Sequence, residues 1–196
     1  SMQGRKDASS LVKSFTGSHR YVLDYLVEEV LEQQSESVQA FLLQTAVLDQ
    51  MTGALCDALT GQDNGQAILE MLDRANLFIV PLDNERRWYR YHHLFADLLR
   101  AQLQKSLGAE GVARLHARAS EWHERNGSIL DAIHHASAAS DDERLERLIE
   151  QHYMEMVSRG EMSGMRLWRG RLSKELVYRR PWLCIYEAYS HAWFGE

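Results

Sequence analysis

The strongest constraint on the fold is a change of period midway along an otherwise helical sequence. Up to Asn76 and again from His93, apolar residues recur at spacings of three and four. Between them, Leu77 to Leu82 is a short β-branched apolar run and Arg86 to Tyr91 is rich in aromatics, with Asp83, Asn84 and Glu85 between. Two short strands joined by a polar turn fit that pattern, and a helix must follow at once from about His93 to Lys105. The whole junction, FIVPLDNERRWYRYHHLFADLL over 78–99, also concentrates arginine, aromatic and histidine residues beside a predicted core.

The helices on either side can be placed from caps and stripes. Ser18 can cap a helix to about Gln34, with Tyr21, Val22, Tyr25, Leu26, Val30 and Leu31 on its apolar side. Ser35 or Ser37 starts the next, whose stripe is Val38, Phe41, Leu42, Thr45 and Leu48. Thr52 to Leu59 is a short helix closed by Gly61. A helix after Asp63–Asn64–Gly65 turns Ile68, Met71, Leu72 and Ala75 inward and ends near Asn76. Three helices and then a hairpin is the order of a winged-helix domain.

From Leu107 the pattern is wholly helical. Val112, Leu115, Ala119 and Trp122 share one face, and Asn126–Gly127 ends that helix. Ile129 to Ala139 is the next, stopped by Ser140 and two aspartates. Asp141 or Asp142 caps a helix from Glu143 to Arg159, where an acidic first turn suits the dipole. Further helices are expected over 165–172 and 181–193. Paired helices of this length point to a solenoid of the tetratricopeptide type, although 196 residues contain no strict 34-residue repeat. The expected fold is therefore mainly α: an arm over 1–17, a winged-helix domain with a short β-hairpin over 18–106, and a truncated helical-repeat region over 107–196. Ser1 before Met2 reads as a remnant of tag removal, and the final WFGE as the middle of a repeat, so a piece of a longer protein is expected.

Composition narrows the function classes. A net charge of −6 argues against a chain that binds nucleic acid over its whole surface. No apolar run approaches 18 residues, the length a spanning helix needs. Cys56 and Cys184 sit far apart among apolar neighbours, as buried thiols of a reducing compartment do. There is no GxxxxGK[ST], so this chain cannot by itself cradle a triphosphate, and no HExxH, paired CxxC or GxSxG. No nucleophile, base and metal set converges, so catalysis is not expected.

The histidines divide into two groups. His134 and His135 are adjacent in a helix and point about 100° apart, which does not suit a shared metal. His116 and His123 lie two turns apart, about 10.5 Å, too far for one ion, and read as surface or packing residues. His92 and His93 at the hairpin–helix junction admit two readings. Either one ring packs under the hairpin on a backbone carbonyl while the other is partly exposed, or the first ring, fixed at a helix start, offers a donor to an anion from a neighbouring domain. Arg86, Arg87 and Arg90 make that surface basic. Strand alternation would place Arg86, Trp88 and Arg90 on one face and Arg87, Tyr89 and Tyr91 on the other. Trp88 among arginines suits stacking on a base or covering a partner helix. Duplex DNA is the alternative partner, but the helix that would enter the groove carries Gln66, Glu70, Asp73 and Arg74, and its carboxylates have the wrong sign for phosphate.

The run NLFIVPLDNERRWYRYHHLFADLLRAQL resembles the corresponding stretch of the large ATP-dependent LuxR-type transcriptional regulators of the MalT kind, members of the signal-transducing ATPases with numerous domains. RYVLDYLVEEVL, VQAFLLQTAVLD and LCDALTG are similar to the same family in the same order. WHERNGSILDAIHHASAASDDERLERLIE and PWLCIYEAYSHAWFGE resemble the start of its helical repeats, so the likeness covers residues 15 to 196. It implies a cytoplasmic bacterial regulator with an NTPase module upstream that binds ATP or ADP. It also implies sensor repeats downstream for a small-molecule inducer, and a separate C-terminal domain that reads DNA. In many relatives a Met-His-Asp triplet precedes a Leu, and its histidine touches the ADP β-phosphate. Tyr91, His92, His93 and Leu94 correspond in position, so the resemblance makes His92 the nucleotide-sensing histidine of the full-length protein. Tyr91 stands for Met and His93 for Asp. The resemblance thus implies a non-catalytic regulatory segment with no cofactor of its own. A DNA-binding wing and a protein-interaction scaffold are the competing readings.

Overall fold

A computed structural model of the chain describes residues 31–158 and 184–185, with side chains of the last helix described to His152. The arm over 1–17, the helix from Ser18 up to residue 30, the helix over 165–172 and all but residues 184–185, which are helical, of that over 181–193 lie outside the described residues. The chain divides into two compact units, Ser1–Val112 and Ala113–Glu196.

In the first unit three helices, α1 (Glu36–Thr45), α2 (Gly53–Thr60) and α3 (Gly65–Arg74), precede an antiparallel hairpin of β1 (Ile79–Pro81) and β2 (Tyr89–Tyr91). The helix α4 (His93–Arg125) follows. This is the winged-helix order expected from the sequence. Ser35 stands at the N-cap of α1. The Thr52 hydroxyl accepts the Leu55 N–H, and Gly61 ends α2 with a φ of 73°. Both ends lie within a residue of where the sequence puts them. Pairing sets Ile79 opposite Tyr91 and Pro81 opposite Tyr89. Met51 extends the ladder by exchanging both backbone bonds with Tyr89, each 2.9 Å. Phe41, Leu42, Leu48, Leu55, Leu59, Leu69, Leu72, Tyr89, Phe95 and Leu99 fill the core.

Two expectations need correction here. The inner face of α3 is Gly65, Ile68, Leu69 and Leu72, whereas Met71 and Ala75 are exposed. The helix packs on both α2 and β1, which rotates its buried stripe toward Leu69, and it ends before Ala75. Arg86 and Arg87 are not in the strand. Arg86 has a φ of 52° and belongs to the turn, so alternation begins only at Trp88. Arg87 is exposed rather than sharing the inward face of Tyr89 and Tyr91. The helix from His93 is interrupted at Gly108 (φ 63°, ψ −179°), a conformation open essentially to glycine alone, close to the expected boundary between Lys105 and Leu107, and helical structure resumes to Arg125.

Gly53 and Gly65 set the approach of α2 to α3. A Cβ on Gly53 would lie 2.7 Å from the Gln66 backbone nitrogen, and one on Gly65 2.6 Å from the Gly53 carbonyl oxygen. The two helices therefore meet backbone to backbone.

In the second unit the C-terminal part of α4 is followed by α5 (Ile129–Ala138) and α6 (Asp142–Ser158), which pack on one another. Small residues, Ala119, Ala132 and Ala136, permit close contact beside Ile133, Leu145, Leu148 and Ile149. The buried Ser120 hydroxyl donates to the Ala132 carbonyl at 2.7 Å. Asp141 caps α6 by accepting the Arg144 N–H at 3.0 Å. Glu124 receives Arg144 at 2.9 Å and Arg147 at 2.6 Å. Those guanidiniums, Arg147 first, hold the Glu124 carboxyl below the ordinary range.

Candidate functional site

The junction of β2 and α4 is pinned residue by residue. Tyr89 is bonded to Met51 through both N–H and C=O, and Arg90 pairs with Val80. The Tyr91 hydroxyl lies 2.7 Å from Thr45 Oγ1, in the core. The His92 N–H donates to the Phe78 carbonyl at 2.7 Å. Phe78 adopts a φ of 54°, a left-handed conformation that is strained for an aromatic residue. The first bond of α4 runs from the Ala96 N–H to the His92 carbonyl at 2.9 Å. The amides between them thus have no helical carbonyl to reach.

Above this fixed backbone both imidazoles are exposed. Their centroids are 4.4 Å apart with planes tilted by 35°. Neither ring forms a side-chain hydrogen bond among the described residues, so packing of one ring under the hairpin on a carbonyl is overturned. Tyr89 and Tyr91 take the inward positions of β2, and Phe95 lies against Tyr91, so the pocket under the hairpin is already filled. An exposed ring at a helix start fits a donor to an anion brought from outside this unit.

The hairpin is less basic than its sequence suggests. Arg86 Nη1 lies 3.1 Å from Asp73 Oδ2, within ion-pair range but without hydrogen-bond geometry. Arg87 pairs with Glu85, and its N–H is accepted by Asp83 Oδ1 at 2.8 Å. Arg90 points outward and forms no ion pair among the described residues, and Trp88 is half-buried. The polar face of α3 is tied to the same turn. Gln66 Nε2 donates to Glu70 at 3.0 Å and to the Arg86 carbonyl at 3.1 Å. Glu70 also holds Arg74 at 2.9 Å, and its carboxyl is kept below the usual range by Gln66 first and then Arg74. This helix presents two carboxylates, Asp73 facing Arg86 of the turn and Glu70 engaged by Gln66 and Arg74 of the helix itself, a poor surface for DNA phosphates.

Cys56 is buried, and burial drives its thiol far above the ordinary value, so it is an unreactive core residue. Among the described residues no helix is long and apolar enough to cross a membrane, and no group of three or more metal-ligating side chains could hold an ion.

A second histidine group, in the other unit, escapes reasoning one helix at a time. His116 Nδ1 and His135 Nδ1 are 2.8 Å apart, and the His123 ring stacks on His135 at 5.4 Å and 11°. His134 lies edge-on to His135 at 5.1 Å. His123 and His135 are 4% and 5% exposed, so of the two readings open to His123, surface or packing, the structure gives packing. Burial, then His116, His134 and His123, hold His135 down at about 2. Burial also lowers His123, opposed by Asp131, whose Oδ2 is 3.9 Å from Nδ1.

Residues 27–111 match the family model described as the MalT winged helix domain. The chain is 37% identical over 172 residues to the HTH-type transcriptional regulator MalT of Vibrio cholerae, covering 88% of this chain and 19% of that protein. It is 36% identical over 190 residues to the MalT of Yersinia pestis, covering 96% and 21%. It is 32% identical over 191 residues to the serine/threonine-protein kinase PknK of Mycobacterium tuberculosis, covering 97% and 17%. The chain thus spans about a fifth of the length of these curated relatives.

Proposed function

We propose that the chain, whose residues 27–111 match the model of the MalT winged helix domain, is the non-catalytic coupling segment of a cytoplasmic MalT-like regulator. In this reading an upstream NTPase module holds ADP or ATP, and the repeats that begin near residue 107 lead to the inducer sensor. DNA is read by a separate domain. His92 presents its ring to the nucleotide-bearing module, with His93 and the outward Arg90 beside it.

The observation that carries the reading is the pairing of a rigid backbone with an unengaged ring. His92 is fixed through its N–H to Phe78 and through the ladder before it, while its imidazole faces solvent at a helix start. Bound ADP would supply phosphate oxygens as acceptors there. A ligand touching both modules stabilises their association by mass action. Such a contact becomes a switch when the closed and open arrangements differ in affinity for ADP.

The spread of the relatives supports a coupling role. Nearly the same segment occurs in proteins named as a transcriptional regulator and as a kinase. What is shared between different outputs is better matched to transmission than to either output. The engaged carboxylates of α3 favour this over DNA reading by the wing.

The test is His92→Ala in the full-length protein, read as the ADP dissociation constant and the basal transcriptional activity. Loss of one hydrogen bond to a charged group should weaken ADP by about tenfold or more and raise basal activity. Unchanged affinity together with unchanged basal activity sinks the assignment.

A further inference from the structure

We propose that Tyr91 and Thr45 are positioning residues for His92, joined by a buried hydroxyl pair that ties the histidine's location to helix α1. This rests on the reading of His92 given above and adds the element that governs it.

The direction of the bonds follows from the chemistry. Thr45 Oγ1 lies 2.7 Å from the Phe41 carbonyl oxygen, which can only accept. The threonine proton is therefore committed there, with a longer approach of 3.5 Å to the Leu42 carbonyl. In the 2.7 Å contact between the two hydroxyls, Tyr91 must be the donor. Both residues are buried, Thr45 fully, so the pair is shielded from competing water. Burial also pushes the Tyr91 phenol well above its ordinary value, which keeps the donor proton in place.

The geometry links this pair to the next residue. Tyr91 ends β2 and His92 follows it directly, with the Phe78 carbonyl holding the His92 N–H. In extended chain, neighbouring side chains take opposite sides, so fixing the tyrosine inward fixes the histidine outward. The Tyr91 ring is further clamped edge-on by Phe95, at 5.9 Å and 79°, and Phe95 also meets Phe78 at 5.6 Å. The hydroxyl pair spans 46 residues of sequence between α1 and the end of β2. A displacement of α1 that breaks it removes the one polar tether on the side chain next to His92. The position of α1 thereby reaches the imidazole.

The experiment uses the full-length protein and the ADP dissociation rate. Tyr91→Phe and Thr45→Val each delete the bond with little change of volume, and Thr45→Ser keeps it. The first two should release ADP about 3- to 10-fold faster, and the serine variant at close to the wild-type rate. In a His92→Ala background, Tyr91→Phe and Thr45→Val should produce no further change, because they act through the ring already removed. Where His92→Ala itself weakens ADP, wild-type rates in Tyr91→Phe and Thr45→Val overturn the proposal, as do effects that persist fully in the His92→Ala background. A second measurement needs no nucleotide. In the chain itself, Tyr91→Phe and Thr45→Val should shift and broaden the His92 ring resonances while leaving those of His116 in place. Unmoved His92 resonances overturn positioning. Moved resonances alongside unchanged ADP affinity in His92→Ala retain the positioning and remove the nucleotide reading instead.

Discussion

Acidification should loosen the second unit through its buried histidines, and the size of the effect can be worked out. His135 stays neutral in the folded protein down to about 2, against an ordinary value of 6.5. The unfolded chain binds the proton below 6.5 and the folded chain does not, so stability is lost as pH falls through that value. Each pH unit below it costs about 1.4 kcal/mol per imidazole kept neutral, so about 2 kcal/mol is lost by about pH 5 through His135. His123, also lowered, adds to the loss with the same sign. Burial is the main cause of His135's resistance to protonation, and the 2.8 Å contact between His116 Nδ1 and His135 Nδ1, which has room for a single proton, adds to it. That loss is a large fraction of an ordinary domain's stability, about 5–15 kcal/mol. Urea unfolding at about pH 7 and about pH 5, followed by far-ultraviolet dichroism, measures it. In His135→Phe, which keeps an aromatic ring against His123, the decline between the two pH values should shrink by about 2 kcal/mol. Carboxylates contribute equally to both proteins. An identical decline in the variant refutes the argument.

Other outcomes follow from single contacts. Gly53→Ala should destabilise the first unit by about 1–3 kcal/mol, since a methyl group cannot fit against the Gln66 backbone; thermal unfolding reads this. Thr52→Ala removes the acceptor of the Leu55 N–H and should cost about 1 kcal/mol in the same assay. Arg86→Ala should cost about 1 kcal/mol or less, the guanidinium being mostly exposed and solvent-screened. Fluorescence titration with duplex DNA at physiological salt should give binding weaker than micromolar; tighter binding with a steep salt slope would restore the wing as a DNA contact.

The change of period placed the hairpin because alternation and helical spacing leave different marks. Gly61 and Asp141 are legible as caps because capping depends on local chain chemistry. The exposure of His92 was harder to read, since it depends on Tyr89, Tyr91 and Phe95 occupying the space beneath the hairpin. The arginines misled for a related reason. Their charge is visible in sequence, but the positive φ at Arg86 that turns it toward Asp73 is not. His116, His123 and His135 show the limit most clearly. Two turns do separate the first two along their own helix, yet α5 delivers His135 against both. Nothing in a single helix's spacing reports what another helix brings to it.

The backbone contact between Gly53 and Gly65 also bears on how movement can travel. Where Gly53 faces Gln66 and Gly65 faces Gly53, backbone lies against backbone, and at that point there is no rotamer to change and little room for one helix to slide past the other. Displacements of α1 and of the start of α4 are not held by that contact, and His92 lies where those two routes converge.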